Sequence, residues 1–219
     1  MVFPEPDEAD ESGLLAIGGD LSIERLKLAY SQGIFPWYED GMPILWWSPD
    51  PRMVLFPSKM IISHSLKQTV KKHKFTVTFD KAFSKVIEQC SFTPRKDQDG
   101  TWITREMKHA YQKLHEAGFA HSVEAWLDGE LVGGLYGVAM GRAFFGESMF
   151  HKETNASKVA LVHLVEKLIE WEYEIIDAQV YTNHLESLGG ELIPRNQYLK
   201  FLVKALEKQG IDGSWAGKE

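Results

Sequence analysis

A chain of 219 residues with 24 Lys and Arg against 31 Asp and Glu carries a formal charge of −7. Its 44% apolar and 12% aromatic content excludes a disordered chain. Its single cysteine excludes an internal disulfide, no Cys/His cluster suits structural zinc, and a reducing compartment is expected. The acidic balance also argues against a nucleic-acid partner, because such domains usually run basic. The first residues, Met1 to Glu8, show neither the basic nor the apolar region of a secretory signal, and no run approaches a membrane span. A cytoplasmic protein with no membrane partner is expected.

Residues 1–13 are acidic, contain proline and read as a loop. Ser22 is placed to N-cap a short helix carrying Leu26, Ala29 and Tyr30, with Gly33 ending it. The proline density from Phe35 to Arg52 forbids a long helix. Residues 1–50 are therefore read as a small domain with a short strand or two, and 51–219 as a second domain. Residues 53–57 form an apolar strand, and Ser63 caps a helix to about His73. Phe75, Val77 and Phe79 alternate as a half-buried strand. Asp80 is expected to start a helix with Phe83, Val86 and Ile87, and a loop follows from Pro94 to Gly100. Thr104 starts a helix stopped by Gly118. Strands then run from His121 to Trp126, Leu131 to Val138 and Ala143 to Met149, with Asp128-Gly129 marking a hairpin. Asn155 or Ser157 caps a long helix to about Trp171, Ile175 to Tyr181 is a strand, and helices continue to about Gln209. The order predicts an α+β fold, a mixed sheet flanked by helices. The strand–long helix–strand piece near 143–181 suits an N-acetyltransferase-like (GNAT-like) sheet.

Standard catalytic signatures are absent. His115-Glu116 lacks the second histidine of a zinc-protease helix, because position 119 is Phe, and no metal is expected. Cys90 reads as a small apolar filler. Two strands are more informative. Period two puts Asp177, Gln179 and Tyr181 on one strand face, opposite Ile176, Ala178 and Val180. That face is either the solvated side of an edge strand or a site in which Asp177 orients the Gln179 amide. Glu147 stands alone among aromatics, beside Gly146, either as a buried partner for a cation or as a strand-end surface acid.

The charge is unevenly spread. Residues 51–79 hold six cations and no acid, whereas residues 1–50 hold ten acids against Arg25 and Lys27. Lys67, Lys71 and Lys74 recur at helical spacing, as a solvated face or a phosphate-tracking stripe.

Nine motifs occur in order: Gly13 to Ser22, Gly33-Ile34-Phe35-Pro36-Trp37-Tyr38, Ile44 to Arg52, Gly100-Thr101-Trp102-Ile103-Thr104, His121 to Glu124, Leu131 to Val138, Phe145 to Phe150, Asn155 to Lys158 and Ile176-Asp177-Ala178-Gln179. As a set, covering about residues 3–200, they closely resemble the bacterial leucyl/phenylalanyl-tRNA–protein transferase family. The resemblance implies a small N-terminal domain plus a GNAT-like domain. It implies transfer of Leu or Phe, and Met less well, from aminoacyl-tRNA to the α-amine of proteins beginning with Arg or Lys, which marks them for N-end rule degradation. It implies no cofactor, since aminoacyl-tRNA is itself the activated donor, and a monomer is expected. Carried over residue by residue, Asp177 and Gln179 are the catalytic pair, with Asp177 polarising the amide of Gln179, and Glu147 contacts the cationic acceptor. Trp37, Trp102, Leu135, Phe144, Met149, Val159 and Leu164 fall at positions of the aminoacyl pocket, Leu164 replacing an aromatic. The helix after Ser63 aligns with a tRNA-binding surface. His64 stands there where Arg is frequent, Gln68 also replaces a basic residue, and Lys67, Lys71, Lys72 and Lys74 remain.

Two rivals stand beside this reading. A CoA-dependent acetyltransferase needs a glycine-rich turn for pyrophosphate, and the turn Lys152-Glu153-Thr154-Asn155-Ala156 has none. A non-catalytic tRNA-binding module leaves the Asp177/Gln179 pair unexplained.

Overall fold

The computed structural model describes residues 2–93 and 103–218. The expected loop from Pro94 to Gly100 lies outside the described residues. The α+β class holds, built on two sheets of unequal size. In the small one, β1 (Leu14–Ile17), β3 (Leu45–Trp47) and β2 (Phe35–Pro36) pair antiparallel in that order, with α1 (Ile23–Ser31) between β1 and β2. Ser22 does cap α1, its hydroxyl accepting from the Arg25 amide.

The large sheet has seven strands in the order β10 (Glu191–Ile193), β4 (Arg52–Leu55), β9 (Ile175–Gln179), β8 (Ala143–His151), β7 (Glu130–Met140), β6 (Ala120–Leu127) and β5 (Thr76–Phe79). Neighbours run antiparallel except β8 and β9, which run parallel. The parallel pair requires a crossover, and α5 (Ala156–Glu170) supplies it. The remaining helices are α2 (His64–Lys71), α3 (Phe83–Ser91), α4 (Arg105–Glu116), α6 (Asn183–Ser187) and α7 (Arg195–Leu206).

Alternation along the strands sorts the core into two layers. Tyr136, Val138, Phe145 and Ile175 face α1, α3, α4 and α7, where Leu26, Tyr30, Val86, Met107, Tyr111 and Leu202 are buried. Phe35 and Trp46 of the small sheet belong to the same layer, so the two sheets share one core. Val123, Leu135, Phe144 and Ile176 face the other way, onto Leu161, Leu164 and Leu168 of α5 and Leu66 of α2. Behind Phe144 lies Trp215, fully buried and stacked on His121 with ring centres 3.8 Å apart.

Three expectations change. Asp80 does not start α3, which begins at Phe83 with Ala82 in the capping position. Asp80 instead accepts from the backbone amides of Ser122 and Trp215 and lies 2.9 Å from the His121 ring, anchoring the C-terminal segment to β6. The strand expected to reach Tyr181 stops at Gln179. The segment 188–194 is not helical: it contributes β10, three residues on the sheet edge.

Gly133 on β7 lets α5 lie against the sheet. A Cβ there would sit 2.5 Å from the Ala156 Cβ and 2.9 Å from the Ser157 amide nitrogen. Gly133→Ala is expected to lower stability by about 1–3 kcal/mol, the usual range for overpacking, as read by urea denaturation.

Candidate active site

The site forms where β8 and β9 separate. Their pairing is Ala143 with Ile175, Phe144 with Ile176 and Phe145 with Asp177. Beyond this, two bulges turn the strands. On β8, Gly146 pairs with Gly137 and Ser148 with Tyr136, which leaves Glu147 as an extra residue. On β9, Asp177 pairs with Val54 and Gln179 with Met53, which leaves Ala178 extra. A bulge adds a residue to one strand, kinks it and re-aims the adjoining side chains. Gln179 completes its turn in the left-handed region, at φ 65°. The two irregularities bring Gln179 Nε2 to 3.0 Å from Glu147 Oε1, to which it donates.

One buried ion pair fixes β9 in this position. Arg52 Nε donates to Asp177 Oδ1 and Arg52 Nη2 to Asp177 Oδ2, both at 2.8 Å. Each side chain is 1% exposed. The Tyr198 hydroxyl donates to Oδ2 at 2.7 Å and the Gln179 backbone amide to Oδ1 at 2.9 Å. Asp177 thus has four donors, a full set for a carboxylate. The guanidinium lies over the rings of Phe35 and Tyr198, its centre 4.7 and 4.8 Å from theirs. Burial works against the charge on Arg52, but Asp177 and Tyr198 outweigh it and hold the pKa above its ordinary value. Burial, followed by the Asp177 charge, pushes the Tyr198 hydroxyl well above the usual phenol range, so it stays a donor.

This geometry corrects the expected link between Asp177 and Gln179. Asp177 grips the backbone of Gln179, not its amide side chain. The amide nitrogen is turned to Glu147 because the left-handed residue breaks the period-two alternation. Tyr181 does not join them and is exposed, with its hydroxyl on Asn183 and Glu186.

Glu147 is half-buried and held from several elements. Tyr30 of α1 donates to its Oε1 at 2.6 Å, and Tyr111 of α4 donates to Oε2 at 3.1 Å. The two tyrosine hydroxyls also touch each other. Burial raises the Glu147 carboxyl to about 7. The hydrogen bonds from Tyr30, Tyr111 and Gln179 oppose that rise, and the charge of Asp177 adds to it. Glu147 therefore changes charge near neutral pH, where an ordinary glutamate is fully ionised.

Between the diverging strands lies a cavity of about 660 Å³. Trp37, Leu135, Phe144, Met149 and Leu164 all line it, with Phe35, Leu55, Leu161 and Ile176 extending its apolar wall. Glu147 and Gln179 form its polar side. Val159 does not line it. Two residues on a helix are about 200° apart, so Val159 falls on the side of α5 opposite Leu161, against a second cavity shared with His163 and Lys74. Trp102 lies outside the described residues. Arg52, Tyr30, Tyr111 and Tyr198 are additional site-building residues. In the sequence, Arg52 stood only as a charge in the basic stretch and the end of a motif, Tyr30 and Tyr111 stood only at helical spacing, and Tyr198 was not singled out.

The expected basic surface is half as simple as its charge count. Arg52 is buried, Lys59 pairs with Glu191 and Lys74 pairs with Glu153. His64, Lys67 and Lys71 lie on α2, Lys72 caps its C-terminus, and all four are exposed. Among the described residues no helix is long and apolar enough to cross a membrane.

An apolar chamber with one carboxyl group at its polar wall is suited to hold an apolar group beside a polar one. Comparison narrows this reading. The profile described as "Leucyl/phenylalanyl-tRNA protein transferase" matches residues 54–203, and that of the family's N-terminal domain matches 19–50. The "Leucyl/phenylalanyl-tRNA--protein transferase" of Syntrophobacter fumaroxidans is 54% identical over 218 residues, covering 100% of this chain and 93% of its own. That of Desulfatibacillum aliphaticivorans is 56% identical over 216 residues, covering 99% and 93%. A looser likeness, at 10% identity and TM-score 0.39, is to a GCN5-related N-acetyltransferase from Kribbella flavida, over 77% of this chain and 59% of that one. The chain belongs to the leucyl/phenylalanyl-tRNA–protein transferase family, and it is a transferase.

The ion pair makes a two-part prediction. Arg52→Met leaves Asp177 buried without its counter-ion and is expected to cost about 3–5 kcal/mol. Arg52→Met with Asp177→Leu removes both charges and should recover most of that loss. Equal instability of the two variants in urea denaturation would contradict the electrostatic account.

Proposed function

We propose that this chain is a cytoplasmic aminoacyltransferase that moves Leu or Phe, and Met less well, from aminoacyl-tRNA to the α-amine of proteins beginning with Arg or Lys, marking them for N-end rule degradation. The carrying observation is the apolar chamber that ends at Glu147 and Gln179. A Leu or Phe side chain fits a pocket walled by Leu135, Phe144, Met149 and Leu164, which has few groups needing polar partners. The ester carbonyl then lies toward the polar end.

An aminoacyl ester is already activated, so no covalent nucleophile is required. The enzyme brings an amine to the carbonyl and disposes of its proton. Glu147 attracts the cationic acceptor end. Gln179 accepts a hydrogen bond from the attacking amine through its amide oxygen, while its nitrogen stays on Glu147. Asp177 contributes at one remove, by holding the backbone of Gln179 in its left-handed turn. His64, Lys67, Lys71, Lys72 and Lys74 take tRNA phosphates, so affinity should fall with salt as counterions are released. The enzyme acts as a monomer.

The decisive experiment is transfer of radiolabelled Leu and Phe from charged tRNA to an Arg-initiated peptide. The wild type should transfer both, and acetyl-CoA should support no acetylation. Gln179→Ala should lower the transfer rate about 100-fold or more with little change in tRNA affinity. Lys67→Glu with Lys71→Glu should do the reverse, raising KM for aminoacyl-tRNA. Unchanged KM in that double variant would remove α2 from the tRNA surface. Leu164→Phe should narrow the pocket and depress Phe transfer more than Leu transfer.

A further inference from the structure

Counting hydrogens around Glu147 gives more than attraction of an acceptor. Three oxygen–oxygen contacts close a ring: Tyr30 to Tyr111, Tyr30 to Glu147 Oε1 and Tyr111 to Glu147 Oε2. Each contact needs one hydrogen between its two oxygens. Two phenols supply two. While Glu147 is a carboxylate, one contact has no hydrogen and sets two lone pairs against each other. A proton on Glu147 provides the third. The carboxyl then donates to Tyr111, Tyr111 donates to Tyr30, and Tyr30 donates back to Oε1, so every contact is satisfied. The fold has built a receptor for one proton at the wall of the cavity.

The surroundings agree. Burial, then the Glu147 charge, raises both phenols well above their ordinary pKa, so neither ionises in the carboxylate's place. The other titratable groups facing the ring are Tyr136 on β7, which raises Tyr111 further, and Asp177 on β9, paired with Arg52 on β4, whose charge raises Glu147. Among the described charges, none is a cation set against Glu147 to hold it ionised. Gln179, by contrast, donates its amide nitrogen to Oε1, and an amide is a poor base.

We propose that Glu147 is the catalytic base of the transfer, taking the proton of the attacking α-amine, with Tyr30 and Tyr111 as the positioning residues that hold its carboxyl group in place. This rests on the aminoacyl-transfer reading above. The amine lone pair forms the C–N bond to the ester carbonyl carbon, and one N–H proton passes to the Glu147 carboxylate. The C–O bond to the tRNA ribose breaks, and Glu147 returns the proton to that leaving oxygen. Glu147 ends as it began, and no other reactant is needed.

The test uses the full chain, Leu-charged tRNA and an Arg-initiated peptide, with kcat and KM measured between pH 5.5 and 9. In the wild type, kcat should rise as Glu147 loses its proton, on a limb near pH 7, separate from the acceptor amine's own limb near 8. Glu147→Gln keeps the shape but accepts no proton. Its kcat should fall about 100-fold or more, well beyond any rise in peptide KM from the lost charge, and the lower limb should vanish. Tyr30→Phe removes a donor that favours the carboxylate, so the lower limb should move to higher pH. Circular dichroism and Tm confirm that each variant is folded. Retained kcat with a raised peptide KM in Glu147→Gln would reduce Glu147 to a contact for the acceptor's charge and overturn the proposal, as would survival of the lower limb. Transfer by the wild type with any of these results sinks the base assignment alone. No transfer by the wild type removes the function reading and this inference together.

Discussion

The Arg52–Asp177 pair is the constraint on which the rest of the site depends. Both charges lie out of water, where solvation is lost and only near-complete pairing compensates. Four donors on one carboxylate and two rings across the guanidinium provide that pairing. The partners come from β4, β9, α7 and, through Phe35, the small sheet. A pair so placed adds specificity of arrangement more than stability. It fixes the level at which β9 leaves β8, and hence where the cavity opens.

Two carboxylates a short distance apart are given opposite characters. Asp177 meets a cation, Arg52, and holds the strand in place. Glu147 meets phenols and an amide and is easily neutralised. The division follows from which elements reach each group: the start of β4 reaches Asp177, while α1 and α4 present only neutral hydroxyls to Glu147. The apolar chamber sharpens the difference, since its lining offers little solvation for a second charge.

Much of the frame was legible in the sequence. Ser22, Ser63 and Thr104 cap the helices they precede, each accepting from an amide three residues on. Asp128-Gly129 turns the hairpin between β6 and β7. These are local signals, contained within a few residues. β10 was not legible, because its three residues form a strand only where β4 offers an edge. Asp80 looked like a cap by position, yet its carboxylate is used across the chain by His121 and Trp215. The site was legible as a list of residues and not as an arrangement. Asp177, Gln179 and Glu147 stood out as polar groups on apolar strands, but a bulge is a relation between two strands and one strand's sequence does not contain it. Val159 was misplaced for the same kind of reason, since membership in a pocket depends on which side of α5 the sheet covers. The −7 charge misled because it is a sum: the exposed cations of α2 are outnumbered elsewhere, and Arg52 was never surface charge.

The paired bulges carry one more implication. Each is a single surplus residue, and removing Glu147 and Ala178 would take the irregularity out of the β7–β8 and β9–β4 pairings. That sheet would be smoother and would no longer turn Glu147 and Gln179 toward each other. Improvement of the framework by its own local rules therefore removes the contact between Glu147 and Gln179. The two surplus residues therefore hold the sheet in a less regular arrangement than its neighbouring pairings would adopt alone.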